Sequence, residues 1–333
     1  MSDNLIKYIR EINEDKIKEV LQYKGEQQEK LFETARKVRN EGKFQNKVEL
    51  RSVIELSNVC SQKCSYCSIS KDGKEIYTLS REVTEEKIDN LAKKGRRTFL
   101  IQSGENKNQK FIDDVSFCCE NAIKKYPDIK IVLCLGNLSD KQYKQLKETG
   151  AQRYILKFET SNPEHHKFCR PNDTIENRLD RIQTLIDLGF QVGSGNIAGL
   201  PKQTLGNLIE DLKLIDKLNL SMVSSTRFIS NKFSKFGEYP DGDIDLTLNF
   251  LAILRILKPD CLIPSTTSLA FDKKNGQKRG LTAGCNTITI HDGTPKEFEN
   301  KYSIYSSERF SPQELYCREI IEECGMISES YLI

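Results

Sequence analysis

Eight short apolar or β-branched runs recur through this 333-residue chain, at 50–56, 98–102, 129–135, 153–158, 190–197, 221–228, 261–265 and 285–290. Between most of them lie amphipathic stretches with helical spacing, at 84–94, 111–125, 140–149, 174–188, 204–218 and 245–257. Strands that alternate with helices pair in parallel, because each helix carries the chain back to the edge where the next strand starts. Eight is the number that closes a (βα)8 TIM-type barrel. An open doubly wound sheet is the alternative that periodicity leaves standing. In a barrel, chemistry sits at the C-terminal ends of the strands. Start and stop signals agree with the helices. Thr84 precedes Glu85 and Glu86, Asp140 opens another helix, Thr174 is followed by Asn177, and Gly150 and Gly189 sit where C-caps belong.

Residues 1–42 read as helices, with Leu5, Ile6, Ile9 and Ile12, then Ile17, Val20 and Leu21, then Leu31, Ala35 and Val38 at three- and four-residue steps and breaks at Gly25 and Gly42. The expected layout is an N-terminal helical extension over 1–45, a barrel over 46–310 and a C-terminal helical tail over 311–333. Lys and Arg number 51 against 48 Asp and Glu, so the net charge of +3 is too small for a basic field aimed at nucleic acid. No run approaches the ~18 apolar residues of a membrane span. The charged start, MSDNLIKYIREINEDK, is not a secretory signal. A soluble, cytoplasmic protein without nucleic-acid or membrane partners is expected.

The chain has 11 cysteines, an odd number in a long sequence, which fits reduced thiols better than a disulfide scaffold. Three of them follow the first strand in SNVCSQKCSYCSIS, where Cys60, Cys64 and Cys67 form C-x3-C-x2-C. Three thiolates so close together can wrap one metal centre. Structural zinc normally takes four protein ligands, and no second CxxC or HxxxH is present, so zinc would need ligands from elsewhere. A [4Fe–4S] cluster usually takes four cysteines, and three leave one iron open to a small molecule. Incidental thiols in a loop are the plainest alternative.

The loop resembles the signature of the radical S-adenosylmethionine (SAM) superfamily, including the aromatic Tyr66 before the last cysteine. Further stretches narrow the resemblance: QSGE at 102–105, KFETSNP at 157–163, Arg170-Pro171, ENR at 176–178, GSGNIAGLPKQT at 193–204, IPSTTS at 263–268 and GLTAGCNTI at 280–288. From about residue 30 to 310 the chain is similar to the branch containing biotin synthase, methylornithine synthase and HydE, and most similar to HydE. The resemblance implies a [4Fe–4S] cluster on Cys60, Cys64 and Cys67, with SAM chelating the open iron. An electron then cleaves SAM to methionine and a 5′-deoxyadenosyl radical that takes a hydrogen from a small substrate. It implies a reducing partner such as flavodoxin or ferredoxin.

The same resemblance assigns roles. Tyr66, Gln102, Ser103, Glu159, Arg178, Ile197, Gly199 and Tyr302 line the cofactor site, with Arg178 suited to the SAM carboxylate because a guanidinium binds a carboxylate bidentately. Arg153, Lys157, Met222, Arg227, Thr266 and Thr267 line the substrate cavity, and Tyr305 and Cys134 are the candidates for catalytic contact. Read without the resemblance, Arg178 is an ordinary helix-surface ion-pair partner, the threonines satisfy backbone groups and Gly199 is a turn residue. His165 and His166 read as surface or helix residues, and His291 as a strand-end residue with a pocket role open to it.

The chain also departs from HydE. Those proteins typically carry Arg at the position of Lys157, Thr near Val132, Pro near Arg227 and Gly-Ile-Arg in place of Ser68-Ile69-Ser70. The cavity is therefore expected to be family-shaped but differently charged. A mutase resembling methylornithine synthase, with Arg227 on the substrate carboxylate, is the second enzyme reading. A non-catalytic iron–sulfur or SAM-binding scaffold is the third. Cys317 and Cys324, at C-x6-C, make a poor site for a second cluster.

Overall fold

The computed structural model describes every residue except 1, 70–74, 273–274, 300, 303 and 305–310. Its strands are β1 (Lys47–Ser57), β2 (Thr98–Ser103), β3 (Lys130–Cys134), β4 (Arg153–Ile155), β5 (Gln191–Ala198), β6 (Met222–Arg227), β7 (Thr287–Ile290) and β8 (Ile327–Glu329). Its helices are α1 (Ser2–Arg10), α2 (Glu14–Leu21), α3 (Gly25–Glu41), α4 (Arg81–Lys93), α5 (Gln109–Lys125), α6 (Asp140–Glu148), α7 (Pro163–Cys169), α8 (Ile175–Asp187), α9 (Leu205–Lys217), α10 (Ile244–Leu257), α11 (Gly276–Thr282) and α12 (Glu314–Glu323).

The strands run parallel in the order β6-β5-β4-β3-β2-β1-β7. The expected seventh strand, 261–265, is not a regular strand. It joins β6 through a bridge from Met222 to Leu262 and β7 through a bridge from Pro264 to Thr287, and so closes the ring. Pro264 explains the interruption, since a proline has no N–H to give to a ladder. The architecture is thus the expected TIM-type barrel, with one stave reduced to single bridges.

Helix ends follow local chemistry. Thr174 caps α8 by accepting from Asn177 N, and Ser139 and Gln142 form a capping box on α6. The cap of α4 is Ser80, accepting from Val83 N, whereas Thr84 lies inside the helix and bonds back to Ser80 O. Gly150 and Gly189 take φ of +91° and +77° just past their helices, where a side chain would be strained. Leu, Ile, Val and Phe between strands and helices form one continuous core.

The N-terminal helices dock on α10, which is buried along most of its length. Asn249 ties them down, accepting from Gln28 Nε2 at 2.9 Å and donating to Leu21 O and Tyr23 O. The C-terminal tail is not only helical, because β8 pairs with Lys47–Glu49 at the start of β1. Beneath the barrel, Phe44, Val132, Met222 and Leu262 pack with Leu332 and Ile333 and close the floor. Among the described residues, no helix is long and apolar enough to cross a membrane.

Candidate active site

The chain leaves β1 at Ser57 and enters the loop of Cys60, Cys64 and Cys67 at the C-terminal end of the barrel. The loop backbone is anchored by Ser61 N to Glu105 O (2.9 Å) and Ser65 N to Cys169 O (2.8 Å), and Asn231 Nδ2 donates to Ser68 Oγ (2.8 Å). Each of the three sulfurs accepts an N–H: Cys60 from Glu105 N at 3.3 Å, Cys64 from Arg170 Nη1 at 3.1 Å, and Cys67 from Ile69 N at 3.5 Å. Donors aimed at sulfur favour the thiolate that a metal needs. Burial acts the other way on Cys60 and pushes its thiol up, so metal binding has to supply the deprotonation. Gly104 makes the loop's position attainable. A Cβ there would lie 2.3 Å from Val59 O and 2.7 Å from Cys60 Cβ.

Among the described residues, no three His, Cys, Asp or Glu side chains converge tightly enough for a single metal ion. A four-iron cube spreads its ligand sulfurs more widely than one ion's coordination shell. The donor set itself, three thiols in eight residues with one iron left open, suits a [4Fe–4S] cluster. A buried donor without an acceptor, Arg170 Nε, adds to that fit.

Glu159 lies just beyond β4. It forms a bridge to Asn196 of β5, donating from its N to Gly195 O at 3.0 Å and accepting at its O from Ile197 N at 2.9 Å. Its φ of +70° is strained for a residue with a Cβ, by about 1–3 kcal/mol, and such strain concentrates at active sites. Lys157 Nζ sits 2.9 Å from Glu159 Oε2 and donates to Thr226 Oγ1 at 3.0 Å. Burial alone would raise the Glu159 carboxyl, but Lys157, with Arg170 and Arg178, more than reverses that, and the group stays below the usual carboxylate range. Arg178 reaches back from α8, donating from Nε to Lys157 O (2.8 Å) and from Nη1 to Asn137 Oδ1 (2.7 Å), with Glu105 Oε2 at 3.8 Å.

Beside them is a small apolar cluster of Ile197, Leu200, Cys169, Phe228 and Phe236, onto which Tyr66 and Phe168 pack. Gly199 takes φ of +82° there, and its close backbone neighbour is Gly242, 2.4 Å from where a Cβ would stand. Gln102 Nε2 donates to Glu55 Oε1 at 3.2 Å, and Ser103 Oγ to Gly104 O at 2.6 Å. Burial pushes the Cys134 thiol at the exit of β3 up to about 11, so it is protonated at neutral pH. Tyr302 is buried, and its phenol is raised first by burial, then by Cys134, Glu55 and Cys67, which places it among β1, β3 and the cysteine loop.

Strand parity sorts the substrate candidates. Lys157 and Thr226 meet, so both face the interior, and Arg227, the next residue after Thr226, turns to the other face. There its Nε donates to Gly242 O at 2.7 Å, in the loop after β6, so the expected place in the cavity is corrected. Arg153 and Met222 do face inward, but at the floor. Arg153 Nη1 is 2.8 Å from Glu49 Oε1, the Arg51 Nε is 2.7 Å from the same oxygen, and Arg51 Nη2 lies 3.6 Å from Met222 Sδ. Neither belongs to the site at the strand exits. Val132 is in the same floor layer. Thr266 Oγ1 is 2.8 Å from Ser268 Oγ, and Thr267 Oγ1 is 3.1 Å from His291 Nε2. Tyr305 lies outside the described residues.

The structure brings further residues to the site. Glu105 accepts from Gln62 Nε2 at 2.8 Å and Asn137 N at 2.9 Å and so ties the cysteine loop to the turn that holds Arg178. It ends the QSGE run, which was its only signal. His291 Nδ1 lies 3.9 Å from Glu55 Oε1 inside the mouth. His165 and His166 prove helical but buried, on α7.

Residues 54–215 match the model of the radical SAM superfamily. The [FeFe] hydrogenase maturase subunit HydE of Thermotoga maritima is 34% identical over 299 residues, covering 89% of this chain and 84% of its own. The 3-methylornithine synthase of Methanosarcina acetivorans is 25% identical over 286 residues, covering 84% and 79%. Among solved structures, methylornithine synthase (PylB) superposes with a TM-score of 0.83 at 21% identity, covering 98% of this chain and 97% of that one. HydG, a maturase of the [FeFe]-hydrogenase, superposes at 0.80 and 18% identity, covering 99% and 77%. These structures share the fold. The match to HydE, over most of both chains, carries the relationship: this chain belongs to the radical SAM superfamily and is an enzyme that uses a [4Fe–4S] cluster and S-adenosylmethionine.

Proposed function

We propose that the enzyme is HydE-like and acts on a small amino-acid-like or organometallic substrate in [FeFe]-hydrogenase cofactor maturation, with 46–310 as its catalytic barrel. The observation that carries the site assignment is the meeting, at one end of the barrel, of the cysteine loop, the strained Glu159 and the buried Arg178. The extent of the HydE match supports the substrate class.

When bound, a reduced cluster would supply the electron for SAM cleavage; the protein's part is to place the reactants. In this reading Cys60, Cys64 and Cys67 ligate three irons. Glu159 stays ionised beside Lys157 and accepts hydrogen bonds from SAM, while Arg178 turns its remaining N–H groups to the SAM carboxylate. Tyr66 and Ile197 give the adenine an apolar wall, and Gln102 and Ser103 flank the methionine part. Tyr302 covers the cysteine-loop side and excludes water. Below, Lys157, Thr226, Cys134, Thr267, His291 and Glu55 form a polar layer that suits a small polar substrate. A flavodoxin or ferredoxin delivers the electron.

The test is anaerobic reconstitution followed by cell-free maturation of an apo [FeFe]-hydrogenase with this chain in place of HydE. Active hydrogenase supports the reading. SAM cleavage to 5′-deoxyadenosine without hydrogenase activity overturns the maturation role and keeps the chemistry; formation of 3-methylornithine points to the mutase. Four irons retained by a Cys60→Ala/Cys64→Ala/Cys67→Ala variant would remove the ligand assignment.

A further inference from the structure

The polar shell behind the cysteine loop is charged, and its charge is aimed at one sulfur. Arg170 follows α7 and is 4% exposed. Its Nη1 donates to Cys64 Sγ at 3.1 Å and to Tyr66 Oη at 3.2 Å. Its Nη2 donates to Asp173 Oδ2 at 3.1 Å. Asp173 is itself held on several sides, accepting from Asn137 Nδ2 (3.1 Å), Asn177 Nδ2 (2.7 Å) and Thr174 N (3.0 Å). The carboxylate therefore fixes the guanidinium, and the guanidinium fixes the Cys64 sulfur. Cys60 accepts from the backbone N–H of Glu105 and Cys67 from that of Ile69, both neutral donors. The donor to Cys64 is a cation.

A full positive charge hydrogen-bonded to a ligand sulfur stabilises whichever state of a cluster carries more electrons. Hydrogen bonds to sulfur and net local charge are the protein's levers on cluster potential, and outer partners hold them in place. We infer that Arg170, oriented by Asp173, is a positioning residue that raises the reduction potential of the cluster through the Cys64 sulfur. The inference rests on the reading that Cys60, Cys64 and Cys67 bind the cluster. The guanidinium fork matters as well as the charge, because one Nη serves sulfur and phenol while the other serves the carboxylate. The contact to Tyr66 carries the same guanidinium to the proposed adenine wall, so cluster and cofactor pocket share one anchor.

The experiment is an EPR-monitored redox titration of reconstituted wild type, Arg170→Gln, Arg170→Lys and Asp173→Asn, without SAM or substrate, with iron counted in each. Arg170→Gln removes the charge and keeps a donor. Its ratio of reduced to oxidised cluster at a fixed ambient potential is expected to fall at least tenfold, which is a shift of about 59 mV to more negative potential for one electron. Arg170→Lys keeps the charge without the fork and falls between. Asp173→Asn keeps an amide oxygen to accept from Arg170 Nη2, so the fork stays in place while an opposing charge is removed, and the midpoint shifts the other way. Four irons with unchanged midpoints in both charge variants, or shifts of the same sign in the two, overturn the proposal and leave the ligand assignment intact. If the wild type holds four irons and no Arg170 variant does, the residue serves cluster assembly and the proposal is likewise overturned. A wild type that holds no four-iron cluster overturns the ligand assignment and the proposal together.

Discussion

Lys157 and Glu159 leave the same strand two residues apart and meet at 2.9 Å, with Glu159 held at a φ of +70° between them and β5. The pair keeps a buried carboxylate ionised. Lys157→Met removes the cation, and burial then drives the Glu159 carboxyl upward. SAM affinity of the reconstituted wild type should be level between about pH 5 and 8, since the folded carboxyl lies below its ordinary value. In the variant, affinity should fall as pH drops through the raised value. Binding isotherms across that range check it; a level profile in the variant would remove Lys157 from this role.

Arg178→Ala should weaken SAM binding and spare the cluster. The residue is 5% exposed, and two of its bonds go to Asn137 and Lys157 O, so some stability is also lost. Losing a hydrogen bond to a charged group costs about 1.5–3 kcal/mol, on the order of a tenfold to a hundredfold weaker Kd. Calorimetry with iron counted in parallel separates this from cluster loss. An unchanged Kd would sink the assignment.

Gly104→Ala tests the approach of β2 to the cysteine loop. The added methyl meets Val59 O, which is backbone and has no rotamer to change. The loop must shift, so iron per chain after reconstitution should drop by half or more, on the order of 1–3 kcal/mol of overpacking strain. Circular dichroism should stay close to wild type. Full iron content would show that the loop yields without cost.

Asp211 contributes a pH dependence of its own to the apo fold. It is fully buried on α9 and accepts from Ser161 N (2.7 Å), Ser161 Oγ (2.6 Å) and Asn196 Nδ2 (2.8 Å). Burial outweighs these bonds and raises its carboxyl to about 7. Between the usual carboxylate value, about 4, and the folded value the native state holds a proton that the unfolded chain has lost. Stability must therefore fall as pH rises through that window, and the full penalty applies above it. Asp211→Asn removes the penalty, on the order of 4 kcal/mol at most. Its amide can also meet Asn196 Oδ1, which is buried and unpaired among the described residues, once the Asn196 amide turns over. Urea melts at pH 4 and pH 8 should show the variant gaining on wild type only at the higher pH. Parallel behaviour of the two proteins would count against a proton held by Asp211.

The order of strands and helices was legible because each buried face repeats at its own period. The helices 140–149, 174–188 and 204–218 end within a residue or so of α6, α8 and α9. The resemblance put the cysteine loop after β1, Glu159 after β4 and Arg178 on a helix, and those are their places in the fold. What alternation cannot supply is height. Arg153 and Met222 face inward as expected, yet each sits where its strand begins, so each belongs to the floor. Parity by itself would have turned Arg227 away from the cavity. Arg170, Asp173 and Glu105 lie in turns with no period to read, and only tertiary contact brings them to the sulfurs.

The packed floor has a consequence for traffic. Leu332 donates to Glu49 and Ile333 accepts from Arg153, so among the described residues the floor of the barrel is plugged. Whatever reaches the polar layer has to pass the rim where SAM is proposed to lie. With SAM in that proposed place, the deeper guest is expected to enter first and leave last, SAM being the stopper in the neck, and turnover is expected to be ordered.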